Sequence, residues 1–152
     1  MASAGVPERK DIRAEDKWDL GPMFKTEDEW ESLYREIEGK IGEYDKFRGR
    51  LGRSLDAFRA AIRFDLAMSR SIEKLYTYAH LKSDEDRANQ FCLAMYQRSV
   101  NLYTRLSEAS SFITPEIQSI DPEVTSRYIS DPSMKEYRFY LEKILRFRPH
   151  TL

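Results

Sequence analysis

Apolar side chains recur at steps of three and four residues along most of this chain, which is the periodicity of amphipathic α-helices. The first such stripe consists of Trp30, Leu33, Tyr34, Ile37, Ile41, Tyr44 and Phe47. Thr26 and Glu29 form a capping-box pair in front of the stripe, and Gly49 and Gly52 follow it. The pattern therefore predicts one helix that begins after Thr26 and ends at the two glycines.

Two longer helices are predicted next, from Ser54 to about Lys82 and from about Asp86 to Ile113. Each carries a main apolar face and an adjoining flank, which indicates contact with more than one neighbour. The flanks contain Phe64, Met68, Leu75 and Tyr78 in the first of these helices, and Cys92, Tyr96, Val100 and Tyr103 in the second. The acidic stretch at 83–86 is predicted to be the polar turn between them.

Proline and aspartate predict the remaining boundaries. Pro115 is expected to stop the third helix, because proline lacks the backbone N–H that a helix interior needs. Asp121-Pro122 and Asp131-Pro132 each combine a capping residue with a proline suited to the first helical position, so they predict a short helix and then a longer one. Strand signals are nearly absent. The predicted fold is an all-α up-and-down helical assembly, dominated by two long antiparallel helices, with shorter C-terminal helices.

Composition narrows the class of protein. The 152 residues have a formal net charge of -1, and acidic and basic residues are interspersed without a basic stripe, so neither nucleic acid nor a membrane surface is an expected partner. Residues 1–15 lack any period and are expected to be a flexible leader, whereas residues 16–152 suit one helical domain. The absence of a long apolar run and the single Cys92 favour a cytoplasmic location. Cys92 is expected to be a small buried residue.

No catalytic or metal-binding set is visible in the sequence. A zinc site needs about three converging ligands, and the helical motif H-E-x-x-H that would supply two of them is absent. The two histidines, His80 and His150, lie far apart, and the carboxylate clusters are explained by helix starts. We therefore predict no catalytic, metal-binding or cofactor-binding residue in this chain.

The residues 76–80, with two tyrosines and a histidine, are the best candidates for something beyond packing. Successive tyrosines on a helix point about 200° apart, so Tyr76 and Tyr78 should face different environments. The predicted channel-lining or interface residues are Tyr76, Tyr78, His80, Tyr96 and Tyr103. Packing in a core or interface is the alternative explanation, while tyrosine also suits a peptide channel because its apolar ring ends in a polar tip.

Four stretches carry a family resemblance when they are taken in order. They are Trp18-Asp19-Leu20 and the residues 75–86, 137–142 and 146–152. Together they resemble the N-terminal helical domain of the oligoendopeptidase F family, zinc metallopeptidases of the thimet-oligopeptidase-like group. The resemblance implies a larger cytoplasmic peptidase in which mostly helical walls surround a deep cleft for short peptides. It also implies that this sequence is truncated before the C-terminal catalytic domain, which would be its partner.

The resemblance implies zinc in the full-length parent enzyme. It assigns no zinc ligand to this chain, because none of the family's zinc ligands matches a position here. The chain by itself is therefore predicted to be inactive. Two other hypotheses stay open: a free-standing helical module that grips a partner helix or a peptide, and a bundle that self-associates through exposed apolar flanks. Coverage of Phe64, Met68, Tyr78, Tyr96 and Tyr103 is the structural feature that bears on this choice.

Overall fold

The computed structural model describes residues 9–150, except for the side chain of His150. Within this range the regular elements are helical, and no strand occurs. The α-helices are α1 (Glu27–Lys40), α2 (Leu55–Glu85), α3 (Gln90–Ser110), α4 (Ile113–Ser119), α5 (Pro122–Ser130) and α6 (Arg138–Arg146). Short 3-10 helices occur at Arg9–Asp11, Ala14–Asp16, Ile41–Lys46, Pro132–Tyr137 and Arg148–His150. The all-α prediction is confirmed.

The described chain divides into two compact units. Unit 1 contains residues 9–38 and 70–104, and unit 2 contains residues 39–69 and 105–150. Each unit therefore includes part of α2 and part of α3. Their antiparallel arrangement is visible within unit 1, where His80 of α2 stacks on Tyr96 of α3 and Tyr76 contacts Tyr103.

Unit 1 is built around a buried tryptophan of α1. Trp30 is 1% exposed, and its indole N–H donates a hydrogen bond of 3.0 Å to the carbonyl oxygen of Leu75 in α2. Phe24 packs edge-on against Tyr78, with 5.0 Å between the ring centroids. Cys92 is buried in the same unit, as expected for a small apolar residue. The tryptophan thus combines apolar burial with a satisfied polar atom.

In unit 2, one carboxylate fixes the loop that contains Gly49 and Leu51. Glu116 of α4 accepts hydrogen bonds from the backbone N–H groups of Gly49 at 2.8 Å and of Leu51 at 2.9 Å. Gly49 has φ of 70°, in the left-handed region that favours glycine. Leu51 is fully buried and Tyr128 donates to the carbonyl oxygen of Gly52 at 3.4 Å. The loop after the first helical segment is therefore fixed by tertiary contacts.

The predicted helix starts are confirmed where a side chain caps the backbone. The hydroxyl of Thr26 accepts from the N–H of Glu29 at 3.2 Å, and that of Ser54 accepts from Ala57 at 3.1 Å. Asp121 accepts from the first two free N–H groups of α5. The carboxylate of Glu29, however, accepts from Lys25 at 2.8 Å and not from Thr26, so the capping box is displaced by one residue.

Three predicted boundaries around the long helices are wrong. The first segment is not one α-helix up to Gly49, because α1 ends at Lys40 and a 3-10 helix follows, beside the weak helix formers Gly39 and Gly42. The predicted polar turn at 83–86 is helical up to Glu85, where no glycine or proline stops α2. The third helix begins only at Gln90, since the side chain of Asn89 caps it.

Two C-terminal predictions also need correction. Pro115 does not stop the third helix, because α3 already ends at Ser110 and Pro115 lies in the first turn of α4, where a missing N–H costs little. Asp131 does cap the next element, but Pro132 opens a 3-10 helix, and α6 starts only at Arg138. α6 ends at Arg146, before Pro149.

The predicted flexible leader, residues 1–15, falls mostly outside the described range and stays a prediction. From Arg9 onward the chain contains short 3-10 helices, and the guanidinium of Arg9 pairs with the carboxylate of Glu85. No helix formed by residues 9–150 has the length and the apolar character needed to cross a membrane.

Candidate functional site

The parts of α2 and α3 that belong to unit 1 border an open cavity of about 510 Å³, which we call the aromatic groove. It is lined by Glu73, Tyr76, Thr77, Tyr96, Val100, Tyr103 and Thr104. Successive lining residues are separated by three and one positions in α2, and by four, three and one in α3. Since such spacings place side chains on one helix face, each helix contributes a single stripe to the groove.

Three tyrosine rings form the body of the aromatic groove. The ring of Tyr76 lies 5.7 Å from that of Tyr96 and 5.7 Å from that of Tyr103, with interplanar angles of 53° and 58°. The hydroxyl oxygens of Tyr76 and Tyr96 are 3.3 Å apart and share a hydrogen bond. The tilted rings present both apolar faces and polar tips to the groove.

The hydrogen bond between the two phenols also affects ionisation. It is the main reason why the pKa of Tyr76 lies above its ordinary value, and burial and the charges of neighbouring groups act in the same direction. The Tyr76 phenol is therefore protonated at neutral pH. It can donate one hydrogen bond and accept others, whereas a phenolate could only accept.

His80 extends the aromatic cluster beyond the groove. Its ring stacks on Tyr96 at 5.1 Å with an interplanar angle of 24°, and it lies 5.7 Å from the ring of Tyr76. Its Nε2 atom is 3.3 Å from a carboxylate oxygen of Asp84, one helical turn further along α2. The side chain is 45% exposed, and the residue as a whole is half-buried.

Tyr78 lies outside this cluster. It is 5% exposed, packs against Phe24 in the core of unit 1, and has the Lys82 ammonium 5.9 Å from its ring centroid. The opposite directions of Tyr76 and Tyr78 follow from their separation by two residues on one helix. The structure thus brings together Tyr76, His80, Tyr96 and Tyr103, and it places Tyr78 in the core.

The groove wall is completed by Glu73, Thr77 and Thr104, which are not among the residues predicted to line a channel or interface. The available signal was the helical spacing, since Glu73 precedes Tyr76 by three residues and Thr77 follows Glu73 by four. Apolar residues attract attention in such a pattern, whereas a glutamate and two threonines resemble an ordinary solvated face. The polar part of the groove was therefore overlooked.

Exposure differs widely among the five residues whose coverage bears on the choice between the hypotheses, namely Phe64, Met68, Tyr78, Tyr96 and Tyr103. Met68 in unit 2 and Tyr78 in unit 1 are buried, at 4% and 5% exposure. Phe64 in unit 2 and Tyr96 in unit 1 are half-buried, and Tyr103 is 41% exposed. Tyr103 is thus the most exposed of the five residues, and it lines the aromatic groove where the groove opens to solvent.

Residues 9–150 contain few of the side-chain arrangements that catalysis requires. No cluster of three or more histidine, cysteine, aspartate or glutamate side chains in this range could hold a metal ion. The one cysteine, Cys92, is buried, and burial is the main cause that raises the pKa of its thiol, which opposes formation of a nucleophilic thiolate.

Comparison with known proteins assigns a family context to this fold. The sequence profile of a family described as Oligopeptidase F matches residues 116–152. Oligopeptidase PepF of Bacillus subtilis is 31% identical over 148 residues, which cover 97% of this chain and 22% of that protein. An oligoendopeptidase F homolog of Borreliella burgdorferi is 32% identical over 144 residues, covering 95% of this chain and 24% of that protein.

Solved structures agree with the sequence matches. Oligoendopeptidase-F from Enterococcus faecium superposes with a TM-score of 0.78 at 33% identity, over 84% of this chain and 25% of that one. A Chlamydophila abortus protein superposes with a TM-score of 0.85 at 28% identity, over 97% of this chain and 25% of that one. The chain thus spans about a quarter of the length of the relatives it matches. By sequence and by fold, the chain aligns with the N-terminal helical part of oligoendopeptidase F proteins.

Proposed function

We propose that this chain forms part of the wall of the peptide-binding cleft in a cytoplasmic, zinc-dependent oligoendopeptidase. In this proposal residues 16–152 act as the N-terminal helical domain, and a C-terminal catalytic domain outside this sequence cleaves the peptide bond. The observation that carries the proposal is the open aromatic groove, found in a chain that matches the N-terminal part of peptidases.

The chemistry of the groove suits a short peptide. A peptide presents apolar side chains and backbone polar groups in alternation, and tilted tyrosine rings offer an apolar face beside a hydroxyl. Tyr103 and Val100 are 41% and 39% exposed, so a ligand can reach both without local unfolding. This chain would contribute binding and enclosure, which position a peptide relative to the catalytic centre.

The zinc of the proposed enzyme finds no site among residues 9–150, because no metal-binding cluster of carboxylate, imidazole or thiol groups occurs in that range. Its ligands and the general base would have to come from the catalytic domain. The contribution of the chain is therefore separable from catalysis, which makes the proposal testable by reassembly.

A photo-crosslinking experiment in a reassembled enzyme would test the proposal. The chain replaces the matching N-terminal part of Bacillus subtilis oligopeptidase PepF, and benzoylphenylalanine is placed at Tyr103. The matched control carries the same group at Phe139, an aromatic residue of unit 2 that is even more accessible, at 78% exposure against 41% for Tyr103. We expect a peptide-hydrolysing chimera in which a short peptide crosslinks to position 103 and much less to position 139.

Other outcomes of this experiment would contradict the proposal. Equal crosslinking at both positions would show that contact with peptides is unspecific. A crosslink from position 103 to the catalytic domain itself would show that the groove is covered by protein and cannot line the cleft. Selective capture of another protein in place of the peptide would favour a free-standing interaction module.

A further inference from the structure

The aromatic groove combines electron-rich rings with a single formal charge. Among its lining residues in the described chain, Glu73 is the only one with a charged side chain, and it is exposed. The remaining lining residues are three tyrosines, two threonines and Val100. The groove therefore has a negative character, because aromatic faces carry negative partial charge and Glu73 adds a full one.

Unit 1 already contains contacts between cations and aromatic rings. The guanidinium carbon of Arg98 lies 4.3 Å from the ring centroid of Tyr34, and the ammonium of Lys74 lies 4.4 Å from that of Phe24. None of the cation–ring contacts found within residues 9–150 involves Tyr76, Tyr96 or Tyr103. The rings of the groove are thus free of such a partner, unlike those of Tyr34 and Phe24.

We infer that the aromatic groove binds the cationic side chain of a peptide, either arginine or lysine. The charged group lies against the rings of Tyr76, Tyr96 and Tyr103, and Glu73 is its counter-ion. The inference rests on the proposed function, since that function supplies the peptide. It adds a specificity: the groove distinguishes a basic residue from a neutral residue of similar shape.

Physical chemistry favours a basic residue over the alternatives. A cation within about 6 Å of an aromatic ring is attracted by its quadrupole, and a nearby carboxylate adds Coulomb attraction. A neutral apolar residue would gain from the rings but would not be attracted by Glu73, while an acidic residue would be repelled. Val100 offers aliphatic surface to the methylene stem of arginine or lysine.

Binding can be measured on the full chain with two matched peptides. Both are blocked hexapeptides of alanine, and one carries a single arginine where the other carries citrulline, which has the same shape without the charge. Heteronuclear NMR follows the groove resonances of the chain during titration. We expect the arginine peptide to bind about two- to fivefold more tightly than the citrulline peptide.

Two substitutions should remove the preference without disturbing the core. Glu73→Gln removes the charge, and Tyr103→Leu removes an exposed ring while keeping an apolar side chain. Each should lower the ratio of the two affinities toward one, and the matched surface controls Glu136→Gln and Phe139→Leu should leave it unchanged. Circular dichroism of every variant checks that the helices are intact.

Equal binding of the two peptides to the unaltered chain would overturn the inference, and so would a preference that survives both groove substitutions. Shifts confined to residues outside the groove would overturn it as well. These failures differ from failure of the proposed function, because a neutral peptide that crosslinks to position 103 in the chimera supports cleft lining whatever its charge preference. Loss of that crosslink would count against both.

Discussion

Tyrosine hydroxyl groups occur in two very different surroundings in this chain. In unit 2, Tyr44 is 1% exposed and donates a hydrogen bond of 2.9 Å to the carboxylate of Asp65, which is itself 8% exposed. In unit 1, Tyr76 shares its hydroxyl with Tyr96 at the half-buried wall of the aromatic groove. The Tyr44 hydroxyl is enclosed together with a buried carboxylate, whereas the Tyr76 hydroxyl borders an open groove that a ligand can enter.

Ionisation shows how strongly the buried arrangement is constrained. Burial is the largest effect on Asp65 and raises the pKa of its carboxyl group, although hydrogen bonds from Tyr44 and Tyr140 oppose the rise. Burial also raises the pKa of Tyr140 to about 12 and that of Tyr44 further. A buried polar cluster without full hydrogen bonding is costly, so these phenols are structural. The tyrosines of the groove do not have to satisfy a buried carboxylate, so they are available for ligand binding.

The largest expected difference between the two regions comes from truncation to alanine. Tyr44→Ala should lower the free energy of unfolding by about 3–5 kcal/mol, because it leaves a cavity in a closed core against Phe64 and Phe112. Tyr103→Ala should have a much smaller effect, about 0.5–1 kcal/mol, since the residue is 41% exposed and its removal opens no closed cavity. Urea denaturation of both variants measures this, and similar losses would erase the contrast between core and groove.

Removal of a single hydroxyl is expected to have a smaller effect. Tyr44→Phe takes a donor from the buried carboxylate of Asp65 and should cost about 1–3 kcal/mol. Tyr76→Phe removes only one side of a half-buried bond between phenols and should cost at most about 0.5–1 kcal/mol. The same denaturation experiment compares them. A larger loss for Tyr76→Phe would mean that the groove hydroxyls are structural after all.

The pH dependence of stability should sharpen the comparison. Because the pKa of Asp65 is raised by folding, its ionised form is penalised, and the stability present below the unfolded pKa of about 4 is lost as pH rises through the folded pKa. Asp65→Asn does not ionise, so its stability relative to the unaltered chain should increase with pH across this window. Unfolding free energies measured from acidic to neutral pH test the sign.

An exposed aspartate of unit 2 offers the opposite control. Hydrogen bonds from the Ser133 side chain and backbone lower the pKa of Asp131, so its contribution is present above the unfolded pKa and is lost as pH falls. Relative to the unaltered chain, Asp131→Asn should therefore lose stability as pH rises. If both variants changed in the same direction, burial would not be the cause of the Asp65 effect.

The smallest effect is expected at a partly exposed carboxylate of unit 1. Glu31 accepts two hydrogen bonds from the Arg98 guanidinium, at 2.9 and 3.0 Å, and these bonds are the main cause that lowers its pKa. Glu31→Gln should cost about 0.2–1 kcal/mol, because ion pairs at the surface are solvated and screened. Repeating the denaturation in high salt should reduce the difference, and an unchanged difference would contradict this interpretation.

Local signals predicted the helix starts better than the helix ends. Thr26, Ser54 and Asp121 cap the backbone within their own first turns, so their effect depends on neighbours in sequence. The end of α2 at Glu85 was missed because nothing between Lys82 and Glu85 breaks a helix. The start of α3 was placed too early because the cap formed by Asn89 was overlooked, although asparagine is a favoured capping residue.

The candidate site was only partly predictable for a different reason. The sequence indicates that Tyr76 and Tyr78 point apart, but not which of them faces a neighbour and which faces solvent. Pairing Tyr76 with Tyr96 and Tyr103 requires the antiparallel register of α2 and α3. Glu73 and the threonines enter the groove through the same register, and their helical spacing alone does not show that they face a neighbouring helix.

By itself, the sequence determined the helical class, the capped helix starts and the relation to the oligoendopeptidase F family, because periodicity, capping and similarity are properties of the chain alone. Only the tertiary structure decided that Tyr44 encloses a buried acid, that Tyr78 fills a core and that Tyr76 and Tyr103 form an open groove. The physical reason is that helical phase sets the direction of a side chain, whereas the packing of neighbouring helices decides whether that direction ends in protein or in water.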